Sequence, residues 1–348
     1  MQSYVPVGTK ESLRLSRRSF LRTGLLAGAS VLASSRLIET AVPDASGFDL
    51  EVRRGADKDA TVLVVIQLSG GNDGLNTVIP YTDDAYFALR PSLAIPPAKA
   101  LKLNDHLALN GMLAGFRELY DSGELAVILG VGYPNLSRSH FRSTEIWRTA
   151  SDSNVLKSES WLSRSVDARC RFKWEALLRM TRRSRPSAGY PCCQLASGLD
   201  LASRFISAGT ARIFCLSQGG YDTHSGQLSS HQRVLKDLDN ALKAFVSDLK
   251  VHGDFRRVLI MIFSEFGRRL AENHHGGTDH GSAGAMLVAG GAVRGGICGE
   301  LPSLTGLADG QLVHGVDFRS VYATVLEKWL HVPSHDVLGH KFPTLAFL

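Results

Sequence analysis

Cysteine is scarce in this sequence of 348 residues, and its spacing excludes the common cysteine frameworks. No two of the five cysteines form a Cys-x-x-Cys pair, so neither a zinc ribbon nor a disulfide scaffold is predicted. The adjacent pair could bond to each other only with strain. We expect all five cysteines to act as small buried apolar side chains. The five are Cys170, Cys192, Cys193, Cys215 and Cys298.

An excess of one charge across the whole chain is absent as well. The formal net charge is +6, but residues 1–45 alone contain six Lys or Arg against three Asp or Glu. Eight further basic residues lie between Arg164 and Arg185, beside Asp167 and Glu175, and this composition is typical of a solvated basic loop. Without that stretch the rest of the chain is slightly acidic, which argues against nucleic-acid binding through a wide basic face.

Long apolar runs are missing too, so no stable transmembrane anchor is predicted. Residues 23–33 form a mildly apolar run that stops well short of the roughly 20 apolar residues that a bilayer requires. The run follows the sequence SRRSFL at 16–21, and a charged segment before a short apolar run is typical of an export signal. The paired arginines resemble the twin-arginine motif. We interpret residues 1–45 as signal peptide and linker, and expect the twin-arginine translocase to export the protein to the periplasm or the cell exterior.

The remainder has the pattern of an α/β protein, and we assign residues 59–348 to a single domain. Five apolar runs rich in β-branched residues predict strands buried on both faces of a parallel sheet. Helical periodicity at 231–251 and 318–330 predicts amphipathic helices that cover the sheet. The alternation favours a doubly wound, mostly parallel sheet flanked by helices. The predicted strands are 61–68, 125–130, 211–216, 258–263 and 285–289.

Polar loops adjoin all five predicted strands, and they contain most of the Asp and His residues that could form a site. In doubly wound folds, ligands bind beyond the carboxyl ends of the strands. We therefore expect these loops to lie at one edge of the sheet and to form the functional site. They are 69–76, 132–141, 219–225, 264–268 and 274–281.

Three of the loops carry candidate metal ligands. Asp73 follows two glycines, which allow close approach to an ion, although Asn-Asp-Gly is equally typical of a turn. Asp222 with His224, and Asp279 with His280, offer the oxygen and nitrogen atoms that divalent metals take. Either pair alone is common as a capping Asp or a core His. Together the five residues predict a binuclear site, with zinc favoured and manganese or calcium as alternatives.

Ser139 is the candidate nucleophile. It precedes an amphipathic run at 141–147, where a helix N-terminus would direct backbone N–H groups at an anion. A hydroxyl beside a metal could attack phosphorus or sulfur. A simple N-cap serine is the competing interpretation, and Ser137 competes for either role.

Three arginines could bind an anionic substrate through bidentate contacts, or could simply lie at the surface: Arg138, Arg268 and Arg269. We favour Arg268, because the spacing of Glu265 and Arg268 would place both on one helical face beside the site.

Five stretches of the chain together resemble a known bacterial family. They are LSGGNDGLNTVIPY, GVGYPNLSRSHF, GGYDTHSGQ, SEFGRR and GTDHG, which span about 62–338. They resemble the family called domain of unknown function 1501. Members of that family commonly carry a twin-arginine signal, and the family is related to the alkaline phosphatase and sulfatase superfamily. The resemblance implies an alkaline-phosphatase-like fold. It also implies that Asp73, Ser139, Asp279 and His280 hold one metal, and that Asp222 and His224 hold the other.

The chain departs from the superfamily pattern at three places. Only one residue separates Asp222 from His224 instead of three, and His231 is a possible substitute for the histidine. The late histidine of the superfamily has no clear match, with His314 and His340 as candidates. Relatives also carry a longer insert where this chain has its shortened Arg-rich segment, at about 164–190.

The predicted function is an exported metal-dependent hydrolase of phosphate or sulfate esters, acting on a small anionic ester or glycan. Two alternatives stay open. The first is a non-catalytic metal-containing protein of the cell envelope that recognises sulfated or phosphorylated glycans, which a missing late histidine would favour. The second is a structural envelope protein without metal.

Overall fold

A computed structural model describes residues 60–165 and 189–348, all within the compact unit Gly55–Leu348. The predicted signal peptide and linker at 1–45 lie outside the described residues, as does most of the Arg-rich segment at 164–190.

The strands form one large sheet and two small ones. The strands are β1 Val62–Leu68, β2 Val78–Ile79, β3 Ala100–Lys102, β4 Ala108–Asn110, β5 Leu125–Gly132, β6 Ile213–Gln218, β7 Val258–Phe263, β8 Gly267–Arg268, β9 His280–Gly281, β10 Gly284–Ala289, β11 Gly296–Cys298 and β12 Val316–Asp317. The large sheet has the order β11-β5-β10-β7-β1-β6, with β12 paired to β5, and the small sheets are β2-β4-β3 and β8-β9.

The large sheet contains all five strands predicted from the apolar runs. Strand β1 pairs in parallel with β6 and β7, and β5 pairs in parallel with β11 and β12. Strand β10 is the exception, because it runs antiparallel to both β5 and β7. Its amino end therefore lies beside the carboxyl ends of β5 and β7, which brings the loop before β10 to the same edge as the loops after the other strands.

Helices cover both faces of the large sheet. They are α1 Gly74–Thr77, α2 Asp84–Ala88, α3 Ala114–Asp121, α4 His140–Thr149, α5 Trp161–Ser165, α6 Gln194–Ser207, α7 Gln227–Val251, α8 Phe318–Thr324, which continues as a π-helix Val325–Trp329, and α9 Ser334–Leu338. Short 3₁₀ turns occupy Pro97–Lys99 and Phe255–Arg257. Helix α7 stops where Gly253, at φ +76°, adopts the left-handed conformation that commonly ends helices.

Alternate residues of β1 belong to two separate cores. Val64 packs with residues of α3, α6 and α7, whereas Leu63 packs with residues of α4 and α8. Both side chains are fully buried, and burial of such a side chain stabilises the fold by about 1.5–3 kcal/mol. The predicted α/β class is confirmed, as is the doubly wound, mostly parallel sheet between helices.

Within the described residues, no helix has both the length and the apolarity that crossing a bilayer requires.

Four of the cysteines lie in the described residues. Cys192, Cys193, Cys215 and Cys298 are all free thiols. The last three are partly buried against the cores, as expected, but Cys192 is exposed, so the prediction of a buried role is wrong for it.

Candidate metal centre

Side chains from three loops meet at the edge of the sheet where the polar loops lie. His140 is the first residue of α4, after β5; Asp222 follows β6; and His280 lies in β9, just before β10. Their ligand atoms all lie within 4.8 Å of one another. His224 adjoins them, so three imidazoles and one carboxylate form what we call the histidine cluster.

Asp222 is the centre of the histidine cluster. Its Oδ1 lies 3.1 Å from Nε2 of both His224 and His280, and its Oδ2 lies 3.3 Å from Nε2 of His140. The Nε2 atoms of His224 and His280 are themselves 3.0 Å apart. All three rings thus direct the same nitrogen toward one carboxylate.

The other nitrogen of each ring faces a hydrogen-bond acceptor or a carboxylate outside the cluster. His140 Nδ1 lies 2.9 Å from Glu265 Oε1, and His280 Nδ1 lies 3.0 Å from the carbonyl oxygen of Arg138. His224 Nδ1 lies 3.5 Å from Asp279 Oδ1. Such partners favour the tautomer with hydrogen on Nδ1, which leaves the Nε2 lone pairs directed inward.

The charges of the cluster suit a cation. Burial raises the pKa of Asp222, but the hydrogen bond and the charge of Arg268, together with the contact to His280, outweigh it, so the pKa falls to about 2. Burial is the largest influence on His280 and lowers its pKa. At neutral pH the cluster therefore combines an ionised carboxylate with a neutral His280, the forms that bind metal.

Three separations in the cluster, between the Asp222 oxygens and the imidazole Nε2 atoms, are also close to those around a bound ion. Around tetrahedral zinc, with ligand bonds of about 2.0–2.1 Å, neighbouring ligand atoms are separated by about 3.3–3.4 Å. The separations from Asp222 are 3.1–3.3 Å. The Nε2 atom of His140 is buried and has no hydrogen-bond partner among the described residues. Nitrogen donors with one carboxylate form a donor set that zinc accepts.

Asp73 is not part of the histidine cluster, because its carboxylate binds other groups. Its Oδ1 accepts hydrogen bonds from the N–H groups of Leu75 and Asn76 at the start of α1, and its Oδ2 lies 2.6 Å from Arg90. Gln227 also donates to Oδ2. Burial raises the pKa of Asp73, but the charge of Arg90 and the hydrogen bonds from Arg90 and the Asn76 N–H produce a net lowering. The structure thus shows the turn role that the sequence left open, with the charge already neutralised.

Arg268 is also unavailable to a substrate. Its side chain is fully buried, and it donates to the carbonyl oxygens of Gly71, Thr278 and Tyr221 and to Asp222 Oδ1. The predicted helical face shared with Glu265 is wrong, because residue 265 lies in a bend and Arg268 lies in β8. Arg268 instead binds Asp222, with Nη2 2.7 Å from Oδ1, and so fixes the position of the central carboxylate of the cluster.

Ser139 stands beside the histidine cluster, at the N-cap of α4. Its side chain is exposed and makes no capping hydrogen bond, so its hydroxyl is not used as a cap. The residues on either side both contact the cluster, Arg138 through its carbonyl oxygen and His140 through its ring. Ser137 Oγ instead accepts the backbone N–H of Ser139.

The two late-histidine candidates and His231 contribute nothing to the cluster in the structure. His314 packs against Gly132, where a Cβ atom would lie 2.8 Å from the histidine Cβ, and His340 is exposed. His231 is buried in α7, with Nε2 2.8 Å from Asn72 Oδ1.

The stability of the fold should depend on pH through His231. Burial lowers its pKa from 6.5 to about 4, so the unfolded chain gains a proton on acidification before the folded chain does. Stability from this site is therefore complete above pH 6.5 and falls as the pH drops toward 4. We expect the loss to be about 3 kcal/mol larger in the wild type than in His231→Gln, measured by urea unfolding at both pH values. Equal losses in the two proteins would show that His231 does not control this dependence.

Two residues at the site were not among the sequence candidates, namely His140 and Glu265. His140 stood next to the predicted nucleophile in a loop already marked as functional, but spacing alone does not show which neighbour faces inward. Glu265 was interpreted only as the helical partner of Arg268. In the structure its buried carboxylate accepts hydrogen bonds from the N–H of Gly70 and from Ser264 Oγ.

Glycines allow the loops to approach this closely. Gly70 has φ +124°, and a Cβ atom there would lie 2.3 Å from the backbone nitrogen of Asp222. At Gly277 a Cβ atom would lie 2.2 Å from the backbone of His224. Any side chain at either position would displace a residue of the cluster.

Comparison with known proteins gives one family match. The model of a family described as protein of unknown function (DUF1501) matches residues 174–340, just under half of the chain. That range includes Asp222, His224, Asp279 and His280 but not His140. No curated protein matches the sequence.

Solved structures with a similar arrangement have low identity to this chain. The zinc complex of the C-terminal periplasmic domain of EcEptC from Escherichia coli is 8% identical, over 68% of this chain and 76% of that one, with a TM-score of 0.37. The lipoteichoic acid synthase LtaP from Listeria monocytogenes is 9% identical, over 79% and 78%, with a TM-score of 0.36. The phosphonate monoester hydrolase SpPMH from Silicibacter pomeroyi is 9% identical, over 81% and 77%, with a TM-score of 0.35.

Proposed function

We propose that the protein is a metal-dependent hydrolase of phosphate or sulfate esters. Its divalent ion, for which zinc is the favoured candidate, would be bound by His140, Asp222, His224 and His280. One observation carries the metal centre: three imidazoles direct Nε2 at one carboxylate while their Nδ1 atoms face outer acceptors. Without a cation, the inward lone pairs of His224 and His280 would repel at 3.0 Å unless one ring changed tautomer. The sequence resemblance supports the choice of ester.

We propose only a supporting role for Asp279, because it lies behind His224, 3.5 Å from its Nδ1, and its side chain is more exposed. Asp73 is not included among the ligands, since Arg90 and the α1 N–H groups already satisfy its carboxylate. The described residues thus support one cluster and not the predicted pair of metals.

The chemistry of the proposed site uses residues at the start of α4. When bound, a divalent ion would polarise the ester and stabilise a nearby oxyanion nucleophile. Ser139 Oγ attacks phosphorus or sulfur, the bond to the leaving oxygen breaks, and the alcohol departs with the proton. Water then hydrolyses the serine ester and releases phosphate or sulfate. The first N–H groups of α4, which the N-cap side chain does not bind, can bind the non-bridging oxygens, and exposed Arg138 replaces Arg268 as the neutralising cation.

The proposed setting follows from the leader sequence. Export by the twin-arginine translocase would place the folded protein in the periplasm or outside the cell, where small phosphate or sulfate esters and modified glycans are the accessible substrates.

Turnover of aryl phosphates and aryl sulfates by zinc-loaded protein tests this function. We expect Ser139→Ala to lower kcat by at least about 100-fold without loss of zinc, because the covalent step disappears. Ser229→Ala, an exposed serine on α7, is the matched control and should keep wild-type turnover. Ser137→Ala decides between the two loop serines. Unchanged turnover in Ser139→Ala would remove this serine from the mechanism.

A non-catalytic metal-containing binding protein is the second candidate, and the openness of the site favours it. The side chains of Asp222, His224 and Asp279 are 48%, 46% and 58% exposed. Zinc-loaded wild type that turns over no phosphate or sulfate ester, yet binds a sulfated or phosphorylated glycan, would establish this candidate and reject the hydrolase.

A further inference from the structure

Glu265 is a buried carboxylate whose charge the proposed mechanism leaves unexplained. It follows β7, and it is only 1% exposed. Its Oε1 accepts the N–H of Gly70 at 2.8 Å, and Ser264 Oγ lies 3.2 Å from Oε2. Among the described residues, its one ion-pair partner is His140, whose Nδ1 lies 2.9 Å from Oε1.

A carboxylate removed from water is costly unless a positive charge lies nearby. Neutral hydrogen bonds from Gly70 and Ser264 offset part of that cost. A positive charge that compensates Glu265 could lie on the far side of the His140 ring. The ring joins the two positions, because its Nδ1 contacts Glu265 while its Nε2 faces Asp222. A cation held at Nε2 would complete the charge balance from the far side of the ring.

We propose that Glu265 is a positioning residue that holds His140 in the Nδ1–H tautomer and thereby directs the Nε2 lone pair at the metal. This inference rests on the proposed metal centre. A hydrogen bond from Nδ1–H to a carboxylate makes the opposite nitrogen more basic, and outer partners of this kind raise metal affinity. Glu265 thus acts through His140 and does not itself touch the ion or the substrate.

A purely structural role for Glu265 makes a different prediction. It would anchor the Gly70 turn against Asp222, and a neutral side chain of the same shape could do so equally well. Glu265→Gln separates the two roles, because the glutamine oxygen can still accept from Gly70. Without a charge, however, it favours the Nδ1–H tautomer of His140 far less and does not make Nε2 more basic.

Zinc affinity of the full chain is the test, measured by competition with a chromophoric chelator. We expect Glu265→Gln to bind zinc about 10–100-fold more weakly than the wild type, with an unchanged urea midpoint for the metal-free protein. Glu272→Gln is the matched control, because that carboxylate also accepts backbone N–H groups, at Ser92 and Leu93, away from the cluster. It should bind zinc as the wild type does.

The outcomes distinguish this inference from the proposed function. Wild type that binds zinc, with equal affinity in Glu265→Gln, overturns the positioning role alone. Wild type that binds no zinc overturns the metal centre and the positioning role together. If Glu265→Gln does not fold, nitrogen NMR of the wild-type His140 ring decides: hydrogen on Nδ1 supports the role, and hydrogen on Nε2 overturns it.

Discussion

Replacement of Arg90 by methionine is expected to lower the free energy of unfolding by about 3–5 kcal/mol, because it leaves a buried carboxylate without its cation. Arg90 is fully buried, and its Nη1 lies 2.6 Å from Asp73 Oδ2 and 2.9 Å from Asn76 Oδ1. It also donates to the carbonyl oxygens of Leu270 and Arg269. Methionine fills much of the same space but donates nothing, so four acceptors each lose one hydrogen bond.

Lys243→Met is the matched control for this loss. Lys243 pairs with Glu118 at 2.6 Å, but both side chains are more than half exposed, so water replaces the lost contact. We expect a change of about 0–1 kcal/mol there. Urea unfolding of the metal-free proteins measures both. A loss below 1 kcal/mol for Arg90→Met would mean that Asp73 does not depend on Arg90, and Asp73 would again be a candidate metal ligand.

The second large effect is expected at Asp222. Asp222→Asn should weaken zinc binding by more than the roughly 100-fold that loss of an outer-shell partner can cause, because Asp222 faces all three imidazoles. Asparagine keeps the shape but removes the negative charge that balances the ion. It also leaves the Arg268 guanidinium without its carboxylate, 2.7 Å away, and that positive charge then opposes the ion.

Asp105→Asn is the control for Asp222→Asn. Asp105 is exposed in the loop between β3 and β4, so its loss should leave zinc affinity unchanged. Isothermal titration with zinc measures both variants. Wild-type affinity in Asp222→Asn would show that the ion, if bound, is held by other residues.

Most of the fold follows from local patterns in the sequence. Runs of β-branched residues identified the five main strands, because a strand buried on both faces has no polar positions to interrupt it. The antiparallel direction of β10 could not be predicted in this way, because an apolar run does not indicate the direction of its strand. The spacing of Glu265 and Arg268 suggested a helix, but Gly267 packs against the backbone of Ala283 in extended structure, a contact between distant residues.

The candidate site was predicted in part. Asp222, His224, Asp279 and His280 come together because their loops share one edge of the sheet. Asp73 does not join them, since Arg90, which neutralises it, lies 17 residues further along the chain in a segment without a distinctive pattern. His140 was missed in favour of Ser139, because the orientation of α4, and not its sequence, decides which of two adjacent side chains faces the cluster.

The zinc content of the purified, folded protein tests the metal centre most directly. Elemental analysis after zinc loading and gel filtration should find about one zinc per chain in the wild type and in His274→Ala/His275→Ala, whose two histidines are exposed outside the cluster. The variant His140→Ala/His280→Ala should retain none, because it keeps only Asp222 and His224 of the four ligands. A folded wild type without zinc, or a double variant that still holds it, would contradict the proposed centre.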